Sequence, residues 1–239
     1  MRPFRLAGPL VVGIGGGAGG SPISAAVLYS GIITPSGSNL VTSSISPGSN
    51  RLLVAVMAAR FSGAPADDII AVTGNGLTWD RITERQTATT NRMLGVFRSM
   101  GASPSAGAVT FAESDAGSYS GNAVAAVLEF SNVDTSGTNG SGAVDASSIS
   151  DNIAGSDTTI SVTIGSTPGA SDVCFAVMMT LNDATSLTSD SNYDTLTTAG
   201  PSDEVQLRAD WDAGNDQSVT WTWTVSVPSA AAGFIINAP

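Results

Sequence analysis

The sequence predicts an all-β protein, a two-sheet antiparallel β-sandwich of jelly-roll type built from two similar halves. Three observations support this fold class. A segment of the first half recurs in the second, and several segments alternate apolar and polar residues with the period of a strand. Gly, Ala, Ser and Thr dominate while only 12% of residues are charged, a mixture that suits strands joined by small-residue turns.

The repeat is clearest where Pro47–Met57 returns 121 positions later as Pro168–Met178. Weaker matches pair Trp79-Asp80 with Tyr193-Asp194, Val109–Phe111 with Val219–Trp221, and Ala125–Leu128 with Ala232–Ile235. A period of this length is not that of a solenoid or a propeller. We expect the halves, about 38–133 and 154–239, to pack on each other within one domain of residues 31–239, because neither half covers its own apolar face.

Residues 1–30 are expected to form an extended N-terminal arm. Gly13–Gly20 offers almost no side chains for a core, and glycine loses more backbone entropy on ordering than any other residue. Another surface must therefore hold such a tract, for example by pairing it as an extended segment with a sheet edge. The predicted partner-binding residues are Leu10, Val11, Val12, Gly13, Ile14, Gly15, Gly16 and Gly17.

Two other interpretations of the arm have weaker support. A signal peptide would need an uninterrupted apolar stretch, but Gly8, Pro9 and Gly13 break this one. A phosphate-binding loop would need a Lys-Ser/Thr pair after the glycines, and none follows. No stretch of the chain has the apolar length that spans a bilayer as a helix, so we expect no membrane association.

In the first half, Leu52–Met57 is apolar at both alternate positions, which predicts a central strand covered on both faces. Gly74-Asn75-Gly76 is a strong turn signal, and a link rich in Ser, Gly, Asn and Asp covers 134–157. The remaining predicted strands of this half are Ile69–Thr73, Leu77–Arg85, Met93–Arg98, Ala108–Phe111 and Val124–Phe130.

The second half alternates more regularly. From Val205 to Trp211, apolar residues alternate with Gln206, Arg208 and Asp210, which predicts one apolar face and one face in water. The same alternation from Val219 to Val227 predicts that Trp221 and Trp223 dominate this half of the core. A last strand is expected at Phe234–Asn237. The single cysteine, Cys174, excludes an intrachain disulfide and is expected to be a small buried apolar residue.

Composition excludes several functions. A net charge of −11 argues against a nucleic-acid partner, because phosphate binding depends on lysine and arginine. The absence of histidine rules out a Ser-His-Asp triad, and the absence of lysine rules out Schiff-base chemistry. We therefore expect a protein that is not an enzyme and that needs no cofactor.

Paired carboxylates are the remaining route to catalysis, since glycosidases need only two. The candidates are Glu84, Glu113, Asp115 and Glu129. Glu113-Ser114-Asp115 begins the Glu-x-Asp-x-x-Glu pattern of jelly-roll glucanases, but Ser118 stands at its third acidic position. We expect these acids to be solvated or structural.

Calcium is a second possibility. Asp190-x-Asn192-x-Asp194 resembles the opening of an EF-hand loop, but Thr195 replaces the glycine and Pro201 the bidentate glutamate. A second acidic turn spans Asp210–Asp216. Asp and Asn also favour turns by bonding their own backbone, so we expect turn residues and no metal site.

Carbohydrate binding would need exposed aromatic side chains. Tyr119 is expected to be the most exposed, because it lies in the loop Gly117–Gly121. Trp79 is the other candidate, although its counterpart in the repeat is Tyr193, which suggests a packing role. Trp211 is in phase with the apolar face and is expected in the core.

Three elements of the chain carry a family resemblance: Asn50–Val56, Val72–Trp79 and Val127–Gly137. Together they resemble a small-residue β-sandwich of bacteriophage particle proteins and related bacterial surface proteins. Through the repeat, the resemblance extends over most of the chain beyond the arm. It implies a role in the virion, namely capsid decoration (a cement protein), a head or tail fibre or spike, or an adhesion module that contacts the host surface.

On this basis we expect the arm to bind the major capsid protein or another virion subunit. We also expect a homo-oligomer, with a trimer as the specific prediction. No catalytic residues transfer from the resemblance.

Overall fold

The computed structural model describes residues 21–34, 39–61, 70–87, 91–113, 119, 121–181, 186–200, 205–214 and 216–239. This part of the chain is all β, with every strand pairing antiparallel. The first half contains β1 Ser24–Ile33, β2 Asn39–Val41, β3 Leu52–Arg60, β4 Ile70–Gly74, β5 Asp80–Gln86, β6 Arg92–Ser99, β7 Val109–Glu113 and β8 Ala123–Ser131. The second contains β9 Ser150–Thr163, β10 Val173–Thr180, β11 Thr188–Ser189, β12 Asp194–Ala199, β13 Gln206–Asp212 and β14 Ser218–Ile236.

The two halves share one strand plan. The first half has a five-stranded sheet in the order β1-β8-β3-β6-β5 and a three-stranded sheet in the order β2-β7-β4. In the second half, the long strands β9 and β14 each take part in both layers. Their segments 159–163 and 218–222 pair with each other, with β11 beside β14, and correspond to the sheet of β2, β7 and β4. Their segments 150–154 and 229–233 also pair with each other, and β14 then pairs with β10, β10 with β13, and β13 with β12.

The five-stranded sheet of the first half packs around a central core against β9, β14, β10, β13 and β12 of the six-stranded sheet of the second half. This central core contains Leu52, Val54, Val56, Leu94, Val96, Leu128 and Phe130 of the first half and Val173, Phe175, Val177, Leu207, Ala209, Trp211 and Phe234 of the second. On the far side of each sheet lies an outer core under the three-stranded layer. The first outer core includes Leu40, Met57, Phe97 and Phe111, and the second includes Ile160, Met178, Trp221 and Trp223.

These layers confirm the predicted all-β antiparallel sandwich, but the described residues form three sheets where the prediction has two. The central strand is confirmed, because β3 is buried on both faces between the central core and the first outer core. Trp221 and Trp223 are confirmed as core residues, and Trp211 lies in the central core as expected.

The halves meet through equivalent edges. Thr83 of β5 donates a hydrogen bond to Asp151 of β9 over 3.2 Å, and Thr197 of β12 donates one to Ser30 of β1 over 2.7 Å. Thr83 and Thr197 are equivalent by strand register, as are Asp151 and Ser30. Each half therefore offers the same surface to the other, as the subunits of a two-fold dimer do.

The observed register corrects one alignment. Leu52 pairs with Phe130, and its counterpart Val173 pairs with Ile236. Ala125–Leu128 is therefore equivalent to Ala231–Phe234, one residue away from the predicted match. Alanine occupies alternate and adjacent positions in both segments, so the sequence alone fits either phase.

Three boundaries also differ from those that the sequence predicts. Residues 24–30, assigned to the arm, belong to β1, because their backbone pairs with the edge strand β8. Residues 150–157, assigned to the link, begin β9. The predicted last strand at Phe234–Asn237 is the end of the 19-residue β14, whose pairing register shifts on both sides of Val227, next to Pro228. Proline within a strand is tolerated at such irregular positions.

Candidate functional site

The outermost strand of the first five-stranded sheet, β1, is the best candidate for a binding surface. It pairs with β8 on one side, and no described strand pairs with its other side. Its sequence SAAVLYSGII contains no charged residue, and the side chains of Val27 and Ile32 are 39% and 48% exposed. Uncharged, exposed edge strands are the ones that accept a further strand, since their backbone N–H and C=O groups lack partners.

The opposite edge of the same sheet is built differently. Strand β5 carries Arg81, Glu84 and Arg85, and Arg85 Nε lies 2.5 Å from Asp151 Oδ1. Charged side chains on an edge discourage pairing with another chain. The two edges therefore differ in charge, and β1, whose Ser30 contacts Thr197 of β12, is the uncharged one.

The predicted partner-binding residues, Leu10–Gly17, lie outside the described residues. The structure shows where they join the fold: the chain enters β1 at Ser24, four residues after residue 20. Ser24 Oγ lies 2.6 Å from Ser131 Oγ, and Asn132 Nδ2 donates to the carbonyl oxygen of Pro22 over 2.9 Å. These bonds hold Pro22 and Ser24, where the described chain begins, against the end of β8.

The prediction that Tyr119 is exposed is wrong. Its side chain is 9% exposed, and its ring packs at a centroid distance of 5.0 Å from Phe61 in the first outer core. Trp79 is half-buried against the same core, and its Nε1 donates to the carbonyl oxygen of Gly74 over 3.3 Å. The structure therefore does not bring the two aromatic candidates together as an exposed sugar-stacking surface.

The acidic turns use their carboxylates on the backbone. Asp190 accepts a hydrogen bond from the N–H of Thr220, Asp212 accepts from Gly214 and Asp216, and Asp216 accepts from Ser218. Among the described residues, no group of three Asp, Glu, Cys or His side chains is arranged to hold a metal ion. The hydrogen bonds that Asp190, Asp212 and Asp216 accept from the backbone are those expected of turn residues.

The carboxylate candidates for catalysis are dispersed. Glu129 is buried, where it accepts hydrogen bonds from Arg51 Nη1 at 2.6 Å and from the N–H of Gly48 at 2.5 Å, so it anchors a loop. Glu84 lies 3.4 Å from Arg81 on the strand β5. Glu113 is the last residue of β7, and its side chain lies outside the described part of the chain. Asp115 also lies outside the described residues.

The face of β13 expected in water is buried. Asp210, which is fully buried, accepts hydrogen bonds from Arg208 Nε at 2.9 Å and from Trp221 Nε1 at 2.7 Å. Arg208 also donates to the carbonyl oxygen of Leu187 and to the hydroxyls of Ser189 and Thr195. Sequence alternation does not reveal this cluster. The signal that does is the repeat, in which Asp210 is equivalent to the core residue Phe97.

Burial controls the titration of the groups beside this cluster. It raises the pKa of the Cys174 thiol to about 11, with the nearby Asp212 carboxylate adding to the effect. Burial likewise raises the pKa of the Tyr193 phenol, and Tyr193 donates its hydroxyl to the carbonyl oxygen of Asp216 over 2.8 Å. Cys174 is confirmed as a buried residue and is held as the neutral thiol at physiological pH.

Comparison with protein-family models, with curated proteins and with solved structures found no match to this chain. In the described part of the chain, no helix has the length and apolar character needed to cross a membrane.

Proposed function

We propose that this protein is a non-enzymatic structural component of a virion, which decorates and stabilises a bacteriophage capsid through its N-terminal arm. The observation that carries the proposal is the edge strand β1, which begins at Ser24, shortly after the glycine-rich segment in the sequence. This strand is an uncharged sheet edge with Val27 and Ile32 exposed. An extended segment and an open edge are the two parts of strand addition between subunits.

The body of the protein suits a static role. Its two halves share the central core, so the eight- and six-strand parts support each other as one unit. The partner in this proposal is the major capsid protein or another virion subunit, and the arms of several copies, a trimer in the simplest arrangement, clamp neighbouring subunits. Since the chain carries a net charge of −11, an uncharged strand edge is where two copies of it would meet with the least repulsion.

A carbohydrate-binding adhesion module is the alternative function. It would rely on Trp79 alone, because Tyr119 is buried against Phe61, and part of the Trp79 ring is itself occupied by packing. The arrangement favours attachment to the particle over stacking on a sugar.

The test uses particles from the virus that encodes this sequence. Quantitative mass spectrometry of purified virions should find the protein in many copies per particle, in a fixed ratio to the major capsid protein. Its absence from purified particles would overturn the proposal.

Attachment is tested by adding purified protein to particles stripped of it, followed by co-sedimentation. The full chain should bind, and a chain lacking residues 1–20 should lose binding while its melting temperature stays the same. Val27→Lys and Ile32→Lys should weaken binding, because each places a charge on β1. Val41→Lys is the matched control and should leave binding unchanged, because Val41 is 45% exposed on a different sheet. Retained binding by the shortened chain would show that the arm is not the attachment device.

A further inference from the structure

Three buried polar atoms of the second half have no hydrogen-bond partner among the residues that the structure describes. They are Thr180 Oγ1, Ser229 Oγ and Trp223 Nε1. Thr180 and Ser229 are both 0% exposed and pair directly across β10 and β14. Both lie on the sheet face that carries Met178 and Ala231, which belong to the second outer core together with Trp223. All three polar atoms therefore belong to one interior.

The first half shows that the fold does not require polar side chains here. By strand register and the repeat, Thr180 is equivalent to Ala59, Ser229 to Ala123, and the neighbouring Gln206 to Met93. Ala59, Ala123 and Met93 are buried in the first outer core and leave no polar atom unpaired. The second half has replaced a dry row of side chains with a polar one at the same depth.

A buried hydroxyl or indole N–H without a partner destabilises the folded state, and three in one interior compound that effect. Buried polar groups in this situation are satisfied by ordered water, which makes two to four hydrogen bonds. Side chains directly opposite on neighbouring strands have Cβ atoms about 4.5–5.5 Å apart, a span that one water crosses with two bonds of about 2.8 Å.

We propose that the interior between the two layers of the second half is a specific hydration site. An ordered water molecule there bridges Thr180 Oγ1 and Ser229 Oγ, and the same water, or a second one bonded to it, accepts the indole N–H of Trp223. The first half has no equivalent site, because Ala59 and Ala123 offer no hydroxyl. This inference is independent of the proposed role in a virion.

A crystal structure of the full chain, at a resolution that places internal waters, tests the site directly. The expected result is a density peak within hydrogen-bond distance of Thr180 Oγ1 and Ser229 Oγ that disappears in Thr180→Val. Absence of the peak in the unmodified protein overturns the proposal, whatever the variants do.

Thermal unfolding gives a second readout with opposite signs. If water satisfies the hydroxyls, Thr180→Val and Ser229→Ala lower the melting temperature, because each removes hydrogen bonds that water makes. If the hydroxyls are dry and unpaired, the same changes raise it, and the proposal fails. Thr222→Val is the control, since Thr222 is exposed on β14, where its hydroxyl bonds the hydroxyl of Thr188. The melting temperature of this variant should stay close to that of the unmodified chain.

Discussion

Asp210 of β13 occupies in the second half the position that Phe97 of β6 occupies in the first. Phe97 pairs with Ala55 and Asp210 pairs with Ala176, and the two alanines are equivalent in the repeat. The replacement of Phe97 by Asp210 follows from the neighbouring residue in the covering layer, which is Trp221 where the first half has Phe111. A buried indole N–H needs an acceptor, Asp210 supplies it, and the buried carboxylate in turn needs the cation of Arg208.

Removal of the carboxylate should therefore be costly. We expect Asp210→Ala to lower the free energy of unfolding by about 3–5 kcal/mol, because it leaves Arg208 buried without its counter-charge and Trp221 without its acceptor. Urea unfolding followed by tryptophan fluorescence measures the change. Asp157→Ala is the control, since Asp157 is an exposed carboxylate on β9, and it should change the free energy of unfolding by no more than about 0.5 kcal/mol. Equal effects of the two substitutions would contradict the structural role of Asp210.

The thiol of Cys174 should be unreactive in the folded protein. Its side chain is fully buried, and burial raises its pKa to about 11, so the reactive thiolate is scarce at pH 8. An aromatic disulfide reagent should modify it only after denaturation. Ser156→Cys on the exposed part of β9 provides the control and should react at once. Rapid modification of native Cys174 would show that the second outer core opens easily.

The sequence predicts the parts of this fold that depend on side-chain periodicity. The double-sided apolar run of β3 and the tryptophans of β14 could be assigned because they have one consistent phase. The row Gln206, Arg208 and Asp210 could not, because alternation shows that polar residues share a face but does not show that a second layer covers it. The layer that covers it comes from β9, β11 and the first part of β14, and this layer is a product of strand pairing that the alternation within β13 does not contain.

The glycine-rich segment is evident in the sequence, and its role as a partner-binding arm stays a prediction. The uncharged edge at β1 could not be predicted, because it depends on which strand ends the sheet, and that is a property of pairing. The sequence places Tyr119 in a loop, and loop position alone predicts that its side chain is exposed. The bridge between Phe61 and Tyr119 turns the ring inward, a contact between residues 58 positions apart that no local pattern reveals.

Acid should destabilise the protein through its turn carboxylates. Hydrogen bonds from Ser147 and Ser166 hold the pKa of Asp145 below its ordinary value of 3.8, and bonds from Asn192 and the N–H of Ser218 do the same for Asp216. A depressed pKa in the folded state contributes stability that is present above about pH 4 and is lost as the pH falls through the folded pKa. The melting temperature should therefore drop below pH 4.

Removal of the hydrogen bonds that depress these pKa values tests the cause. In a Ser147→Ala, Ser166→Ala variant, the pKa of Asp145 should move back towards 3.8, so the fall in melting temperature between pH 5 and pH 3 should be shallower than in the unmodified chain. An unchanged pH dependence would mean that Asp145 does not contribute to acid sensitivity.

Phe130 and Phe175 should couple the two halves energetically. The first belongs to β8 and the second to β10, and their rings meet edge to face in the central core at a centroid distance of 5.6 Å and an angle of 81°. Each change to alanine should lower the free energy of unfolding by about 3–5 kcal/mol. In a double-mutant cycle, the pair should show a coupling of about 0.5–1.5 kcal/mol, because each ring loses a specific aromatic partner in addition to buried area.

The control cycle pairs Phe175 with Phe97, which lies in the first outer core on the other side of the sheet. Those two substitutions should be additive within about 0.5 kcal/mol, since the side chains share no core. Because the central core draws its side chains from both halves, unfolding of every variant should remain a single transition, with fluorescence and circular dichroism giving the same midpoint. Additivity between Phe130 and Phe175 would mean that the two rings do not interact favourably. Separate transitions for the two halves would mean that the halves fold independently.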